Sequence, residues 1–361
     1  MRLTEDQEEL RSAVRAVLTR HEGQAAWAPL AGQIGVAGLA VPEEYGGAGC
    51  GAVEVHAVMA ELGAALSPVP YLGSAVLATG ALLASADREA CARLLPPLAD
   101  GTCVAALAWA ENGSWDPATL GAEATPAPSG GGWRLDGTKE YVLDGATADV
   151  LLVAARTAQG VSLFEVEAPH AAARREPSVP MDQTRALARV VLDGAGARLV
   201  GTPGDGERVL RHVLDLACTA LAAEQVGAAQ RCLDLTVGYA LERVQFGRPI
   251  GSFQAVKHRL ADAYVQVESA RSAALGAAFT AARHPAGSGE LTRHAAVARS
   301  ACSEAFSSVA AEMIQLHGGI GITWEHDAHR FFKRAHGSAQ LFGSPAWHRT
   351  RLAAGLGLVP D

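Results

Sequence analysis

With 361 residues, 49% of them hydrophobic and 19% charged, the chain can bury a sizeable core, which excludes a disordered protein and predicts two or three domains. A formal net charge of −8 without any long basic run excludes a nucleic-acid partner. The six cysteines form no CxxC pair, no run of about 18 uncharged apolar residues occurs, and Met1–Leu18 is charged and amphipathic; these features exclude a zinc or disulfide framework, a membrane span and a signal peptide, and predict a cytoplasmic location.

Three regions separate by hydrophobic period. In the first, residues 1–100, Thr4 with Gln7 three positions later fits a capping box, and Leu10, Val14 and Leu18 follow at helical spacing. A turn-rich break, Val41-Pro42-Glu43-Glu44-Tyr45-Gly46-Gly47, precedes helical patterns over 53–62 and 74–84. The second region, residues 101–200, holds short apolar runs bounded by Gly, Pro, Asp and Asn. Strands are expected over 104–109, 140–143, 150–155, 161–167 and 188–192, with turns at 126–132 and at Asp144-Gly145, in a small antiparallel β-domain. The third region, residues 201–361, reads as helical. No proline interrupts 207–243, where Leu210, Val213, Leu214, Ala217 and Leu221 keep helical spacing. A helix of that length spans roughly 55 Å and belongs to a bundle or an oligomer core. Two more helices are expected over 252–282 and 291–317. Ala and Gly dominate the apolar share, which suits close helix packing.

Three segments carry a family resemblance: Gly38-Leu39-Ala40-Val41-Pro42-Glu43-Glu44-Tyr45-Gly46-Gly47, the run Glu242–Gln254 containing Arg243-Val244-Gln245-Phe246-Gly247-Arg248-Pro249, and Gln315-Leu316-His317-Gly318-Gly319-Ile320-Gly321. In this order they resemble the signatures of the acyl-CoA dehydrogenase family along nearly the whole chain. The resemblance implies an α+β fold with an N-terminal α-helical domain, a middle β-domain and a C-terminal four-helix bundle. It also implies noncovalent FAD, Cα–Cβ oxidation of an acyl-CoA thioester in lipid metabolism, and an electron-transfer partner protein. The expected assembly is a homo-oligomer or a heterotetramer with a paralogous chain.

Residue by residue, the resemblance places Arg243 on the FAD pyrophosphate of a neighbouring subunit, where a planar guanidinium suits phosphate oxygens. Gln245 adds an amide contact and Phe246 an apolar face. Gln315, Gly318 and Gly319 approach FAD from the partner chain, two glycines allowing close backbone approach. Ser338 and Gln340 match positions on the diphosphate or adenine side. The flavin ring is expected at the β-domain, walled by Trp109 and Tyr141, which read equally as core aromatics. There Ala110 replaces a threonine that bonds the flavin, and Leu143 replaces another.

The family's base is a glutamate at one of two positions, occupied here by His336 and, on the long helix, Ala217. Three readings stay open. His336 is itself the base, since imidazole titrates near neutrality. Glu224, two helical turns and roughly 10 Å beyond Ala217, replaces it, or is a structural ion-pair partner. Or the chain is the non-catalytic subunit of a heteromeric enzyme, similar to some bacterial steroid side-chain dehydrogenases. A divergent flavin enzyme of the same superfamily is a further alternative. Arg185 either touches substrate or forms a structural ion pair, and Thr323–Asp327 reads as structural, with no metal site.

Overall fold

Thr4 starts α1 (Glu5–Arg20): its hydroxyl accepts from the Gln7 amide, and Gln7 Oε1 accepts from Thr4 N at 2.9 Å. The computed structural model describes residues 1–128, 131–284 and 289–358. After a single turn α2 (Trp27–Pro29) come α3 (Ala52–Ala64), a wide-turned helix over Tyr71–Ala78 that runs into α4 (Thr79–Ser85), and α5 (Arg88–Ala99). The α5 helix is not legible in the sequence, because Pro96 and Pro97 stand in its last turn; Asp87 caps its start by accepting from the Glu89 and Ala90 amides.

The middle region is a seven-stranded sheet of β1 (Ala105–Ala108), β2 (Glu123–Pro126), β3 (Trp133–Leu143), β4 (Val150–Thr157), β5 (Gly160–Glu167), β6 (Ala173–Pro177) and β7 (Leu187–Val200). Its order is β1-β4-β2-β3-β7-β5, with β6 on β7, and β5 pairs with both β4 and β7, so the sheet curls back on itself. The expected purely antiparallel domain is corrected to a mixed sheet: β1 runs parallel to β4 from Ala105↔Val150, and β2 meets β4 in parallel at Glu123↔Arg156. Strands adjacent in sequence do not pair there, because the chain leaves β1 and returns through β2 and β3 before β4 docks beside it.

Three long helices follow, α6 (Gly206–Glu242), α7 (Gln254–Arg283) and α8 (Gly289–His317), then α9 (Ala328–Gln340) and α10 (Pro345–Gly355). Between α6 and α7 the short strands β8 (Val244–Gln245) and β9 (Arg248–Pro249) form a hairpin. One apolar core joins the first helices, one face of β1 and β4, and the first half of α6. The α3–α6 crossing brings backbones together: a methyl on Gly227 would overlap the Ala60 carbonyl, and one on Gly63 the Glu224 carbonyl. No helix among the described residues is long and apolar enough to cross a membrane.

Candidate functional site

The ends of α6 and α8 bring two of the sequence motifs to one surface. Arg243 caps α6 with extended backbone, and its guanidinium makes no ion pair among the described residues. The hairpin after it turns on Phe246 (φ 53°) and Gly247 (φ 76°), the paired positive φ values of a two-residue type I′ turn. Phe246 is 93% exposed, with the Phe253 ring edge-on to it at 6.1 Å between centroids, and Arg248 lies over the Phe253 ring at 4.1 Å. Gln245 donates to the Val244 carbonyl at 2.8 Å. Where α8 ends, Gly318 has φ 63°, and a methyl on Gly318 or Gly319 would meet nothing within 4 Å. Tyr239 ties the two helix ends together by stacking on His317 at 4.4 Å. Gln315, Gly318 and Gly319 are exposed beside that stack. An exposed guanidinium, two side-chain amides and an open glycine pair are a donor set that fits a diphosphate.

A second surface lies where the sheet meets α9 and α10. A cleft of about 650 Å³ is lined by Asn112–Trp115, Tyr141, Leu187, Gln340, Leu341 and Trp347. Tyr141, 43% exposed, stands on its wall at φ 53°. Trp109 lies beneath, buried, with its indole N–H donated to the Trp115 carbonyl and its ring stacked on Phe342 at 5.8 Å. Trp115 packs edge-on against both. Glu111 anchors the loop before them. It is buried against Lys139 and accepts from the Gly121 amide at 2.7 Å and the Ala122 amide at 3.1 Å. Burial drives Lys139 down to about 8 although Glu111 opposes the shift.

On α9, Gln340 faces this cleft, whereas Ser338 is turned into the core. The Ser338 hydroxyl donates to the Ala335 carbonyl and accepts from Gln225 Nε2 at 3.0 Å. Buried Arg299 fixes the segment after it by donating to the carbonyls of Ser338 (2.7 Å), Leu341 (2.6 Å) and Gly343 (3.2 Å). In the described structure Phe342 sits there at φ 62°. Seven described non-glycine residues have positive φ, and four of them (Asn112, Tyr141, Phe246 and Phe342) lie on these two surfaces or directly beneath them. Such conformations are costly for side-chain-bearing residues and gather at functional sites.

The positions considered for the base fall in three different environments. Ala217 is fully buried in the apolar core, beside Cys218, whose sulfur lies 3.6 Å from His348 Nε2. His336 is exposed, against the Phe332 ring at 4.3 Å. Glu224 is buried between two guanidiniums: Arg185 bonds Oε1, and Arg334 Nη1 reaches the same oxygen at 3.0 Å. Burial pushes its carboxyl upward, but Arg185 and Arg334 together outweigh burial and hold it below the ordinary glutamate range. Arg334 also pairs with Asp182 at 2.7 Å and donates to the Thr184 carbonyl at 2.9 Å. Arg185 is thus an ion-pair partner of Glu224 in this structure.

Asp144 carries chemistry that the sequence hid. It ends the β3 strand at φ 56°, buried, and among the described residues its carboxylate accepts no hydrogen bond. Burial raises it to about 7, with nearby Arg185 opposing. It packs closely on Gly73, where a methyl would come within 2.6 Å of Asp144 Oδ2. In sequence, Asp144-Gly145 reads as a turn, which it also is.

This architecture and these motifs define a flavin-dependent acyl-CoA dehydrogenase fold, and the comparisons agree. Residues 4–102 match the family model "Acyl-CoA dehydrogenase, N-terminal domain" and residues 204–357 match "Acyl-CoA dehydrogenase, C-terminal domain". The chain belongs to the acyl-CoA dehydrogenase family, whose members are FAD-dependent oxidoreductases acting on the CH–CH group of acyl-CoA. It is 42% identical to acyl-CoA dehydrogenase IpdE2 of Mycobacterium tuberculosis, over 94% of each chain, and 38% identical to IpdE2 of Mycolicibacterium smegmatis, over 98% and 99%. Among solved structures, the Tcur3481–Tcur3483 steroid ACAD shares 32% identity at a TM-score of 0.86, over 98% of each chain. The ChsE4–ChsE5 complex of Mycobacterium tuberculosis shares 31% at 0.88, over 100% of this chain and 99% of that one.

Proposed function

We propose that this chain is one subunit of a heteromeric, FAD-dependent acyl-CoA dehydrogenase, in which it clasps the flavin and a paralogous chain supplies the carboxylate that removes the α proton. The observation that carries this reading is the state of Glu224, the acidic side chain considered for the role. A base must be free to take a proton and hold a pKa near the working pH. Glu224 is spent on two guanidiniums that favour its charged form. Two of the similar solved structures bear the names of two chains each, which supports a paired assembly.

Bound FAD would accept the hydride that leaves Cβ. This chain's share is binding and orientation. Arg243 presents planar donors to a diphosphate. The open backbone at Gly318 and Gly319 lets phosphate oxygens approach closely, with Gln245 and Gln315 as amide partners. Phe246 offers an exposed apolar face that excludes water from the same contact. Tyr141 and Gln340 line the cleft beside the sheet. The buried Ser338 hydroxyl acts through the geometry of α9.

Asp144 favours a second reading, catalysis by the chain alone. A buried carboxyl with no hydrogen-bond donor among the described residues, pushed up to about 7, is the sort of group that general-base chemistry needs. One experiment separates the two. The chain is purified alone and with its paralogue, flavin is quantified, and anaerobic bleaching by a panel of acyl-CoA esters is followed. Under the subunit reading the pair is yellow and bleaches, and Glu224→Gln or His336→Ala in this chain leaves the bleaching rate within about twofold. If the lone chain bleaches and Asp144→Asn abolishes it, the second reading replaces the first.

A further inference from the structure

Arg299, on α8, is a fully buried guanidinium with no counter-ion in place. Its Nη2 donates to the carbonyls of Ser338, Leu341 and Gly343 and its Nη1 to the Ser303 hydroxyl, and among the described residues it makes no ion pair. The ionisable groups around it are engaged elsewhere or uncharged. Glu224 is held by Arg185 and Arg334, and Asp215 by Arg351. Burial pushes Cys218 and Cys302 up to about 12, so both stay neutral thiols. His348 is driven down to about 3, by burial first and then by Arg299 and Arg351, so its imidazole is neutral too. The carbonyls at the end of α9 offset part of the charge, the equivalent of about half an elementary charge. Fully buried arginines are ordinarily paired, so an unpaired one points to a negative charge that arrives from outside the fold.

The geometry sets this charge against the cleft beside the sheet. Leu341 and Gly343, whose carbonyls Arg299 holds at 2.6 and 3.2 Å, are both wall residues of that cleft, as are Gly337 and Gln340 in the last turns of α9. We propose that Arg299 gives this cleft an unneutralised positive charge that favours the reduced, anionic state of a flavin ring seated there. A hydride carries two electrons and one proton, so a neutral ring that accepts one gains a single negative charge. A fixed cation in a low-dielectric setting stabilises that charge without having to reorganise. Arg299 acts from behind the wall, so it is a positioning residue and not a catalytic one. The inference rests on the flavin-binding reading above and adds to it a part in the redox step.

The test is the reduction potential of the flavin in the purified pair of this chain and its paralogue, measured by equilibration with redox dyes at pH 7. Ser303→Asp keeps the guanidinium on its carbonyls and puts a carboxylate beside Nη1. It is expected to lower the affinity for reduced relative to oxidised flavin about tenfold or more, a drop of about 30 mV or more for a two-electron couple. Arg299→Lys keeps the charge and gives up the planar fork. Its melting temperature is expected to fall, because the three carbonyls lose donors, while its potential stays within about threefold, or about 15 mV, of wild type. Arg299→Met gives up charge and fork and should lower both quantities. Read against Arg299→Lys, it repeats the charge test should Ser303→Asp fail to fold. A merely structural cap predicts the reverse, with the melting temperature moving in the Arg299 variants and the potential unmoved in all three. The inference is overturned if a yellow pair keeps its potential in Ser303→Asp, or if Arg299→Met and Arg299→Lys share one potential. A colourless wild-type pair would overturn the flavin-binding reading and this inference with it.

Discussion

Asp144 shows how one side chain records its surroundings. An aspartate at a strand end is ordinarily a solvated turn residue, with its pKa near 4. Here burial lifts it to about 7, so the folded chain holds a proton that the unfolded chain has released. Stability therefore falls as pH rises from about 4 to about 7 and levels off above that, because the unfolded state binds fewer protons across that window. Asp144→Asn removes the titration. Relative to wild type its stability should gain on the order of 3–4 kcal/mol between pH 4 and pH 8. Chemical denaturation at pH 4, 6 and 8 checks this, and parallel curves for the two proteins would show that Asp144 is solvated after all. This group was not legible in the sequence; ion pairing was among the readings for Glu224 and for Arg185, but not that they pair with each other or that Arg334 joins them. Arg185 and Arg334 are 149 positions apart, and only the folded chain brings both to Glu224. Arg243, Gly318 and Gly319 stood out as candidates because each sits inside a local motif, and the structure places each at a helix end.

Helices wrote themselves into the sequence more plainly than strands did. The α6 helix was expected over 207–243 and runs over Gly206–Glu242, because an apolar pattern of that length without proline has one solution. The four-residue β2 strand and five-residue β6 strand carry too few alternating residues to declare themselves, and their register is set by β3 and β7 across the sheet. The abundance of Ala and Gly hinted at close helix contact without saying where. The structure places one such contact at Gly227, against Ala60 of α3. Two glycines of the same helix make a matched pair. Gly227→Ala drives a methyl into backbone and should cost about 1–3 kcal/mol or more. Gly238→Ala, with nothing within 4 Å of the new methyl, should instead stabilise α6 by about 0.5–1 kcal/mol. Shifts of opposite sign in the denaturation midpoint are expected, and equal shifts would mean that Gly227 does not press on the Ala60 backbone.

At the scale of the molecule, the distribution of apolar surface asks for a partner. Leu241 (α6), Val244 and Phe246 (hairpin), Tyr264 and Val265 (first half of α7), and Ile322 and Trp324 (after α8) are all exposed, on the elements that also carry or follow Arg243 and Gly318. Exposed apolar residues scattered singly need no explanation, whereas a set on neighbouring elements suits the subunit contact proposed above. From its length alone, α6 was expected to belong to a bundle or an oligomer core, and nothing in the sequence says which face would be shared. Burial of Leu241 in a subunit contact predicts that Leu241→Glu, which places a charge in the centre of that surface, weakens association by at least tenfold, since an unpaired buried charge costs several kcal/mol. Val179→Glu is the control: Val179 is equally apolar and more exposed, but lies in the loop between β6 and β7. Sedimentation velocity of the chain with its paralogue should show smaller species for Leu241→Glu and an unchanged assembly for Val179→Glu. Flavin content should fall with the first variant alone, because a clasp built on the bundle end works only when a second chain closes over it. Retention of flavin by a dissociated Leu241→Glu chain would place the cofactor wholly within one subunit and remove the reason for Arg243 to stand exposed.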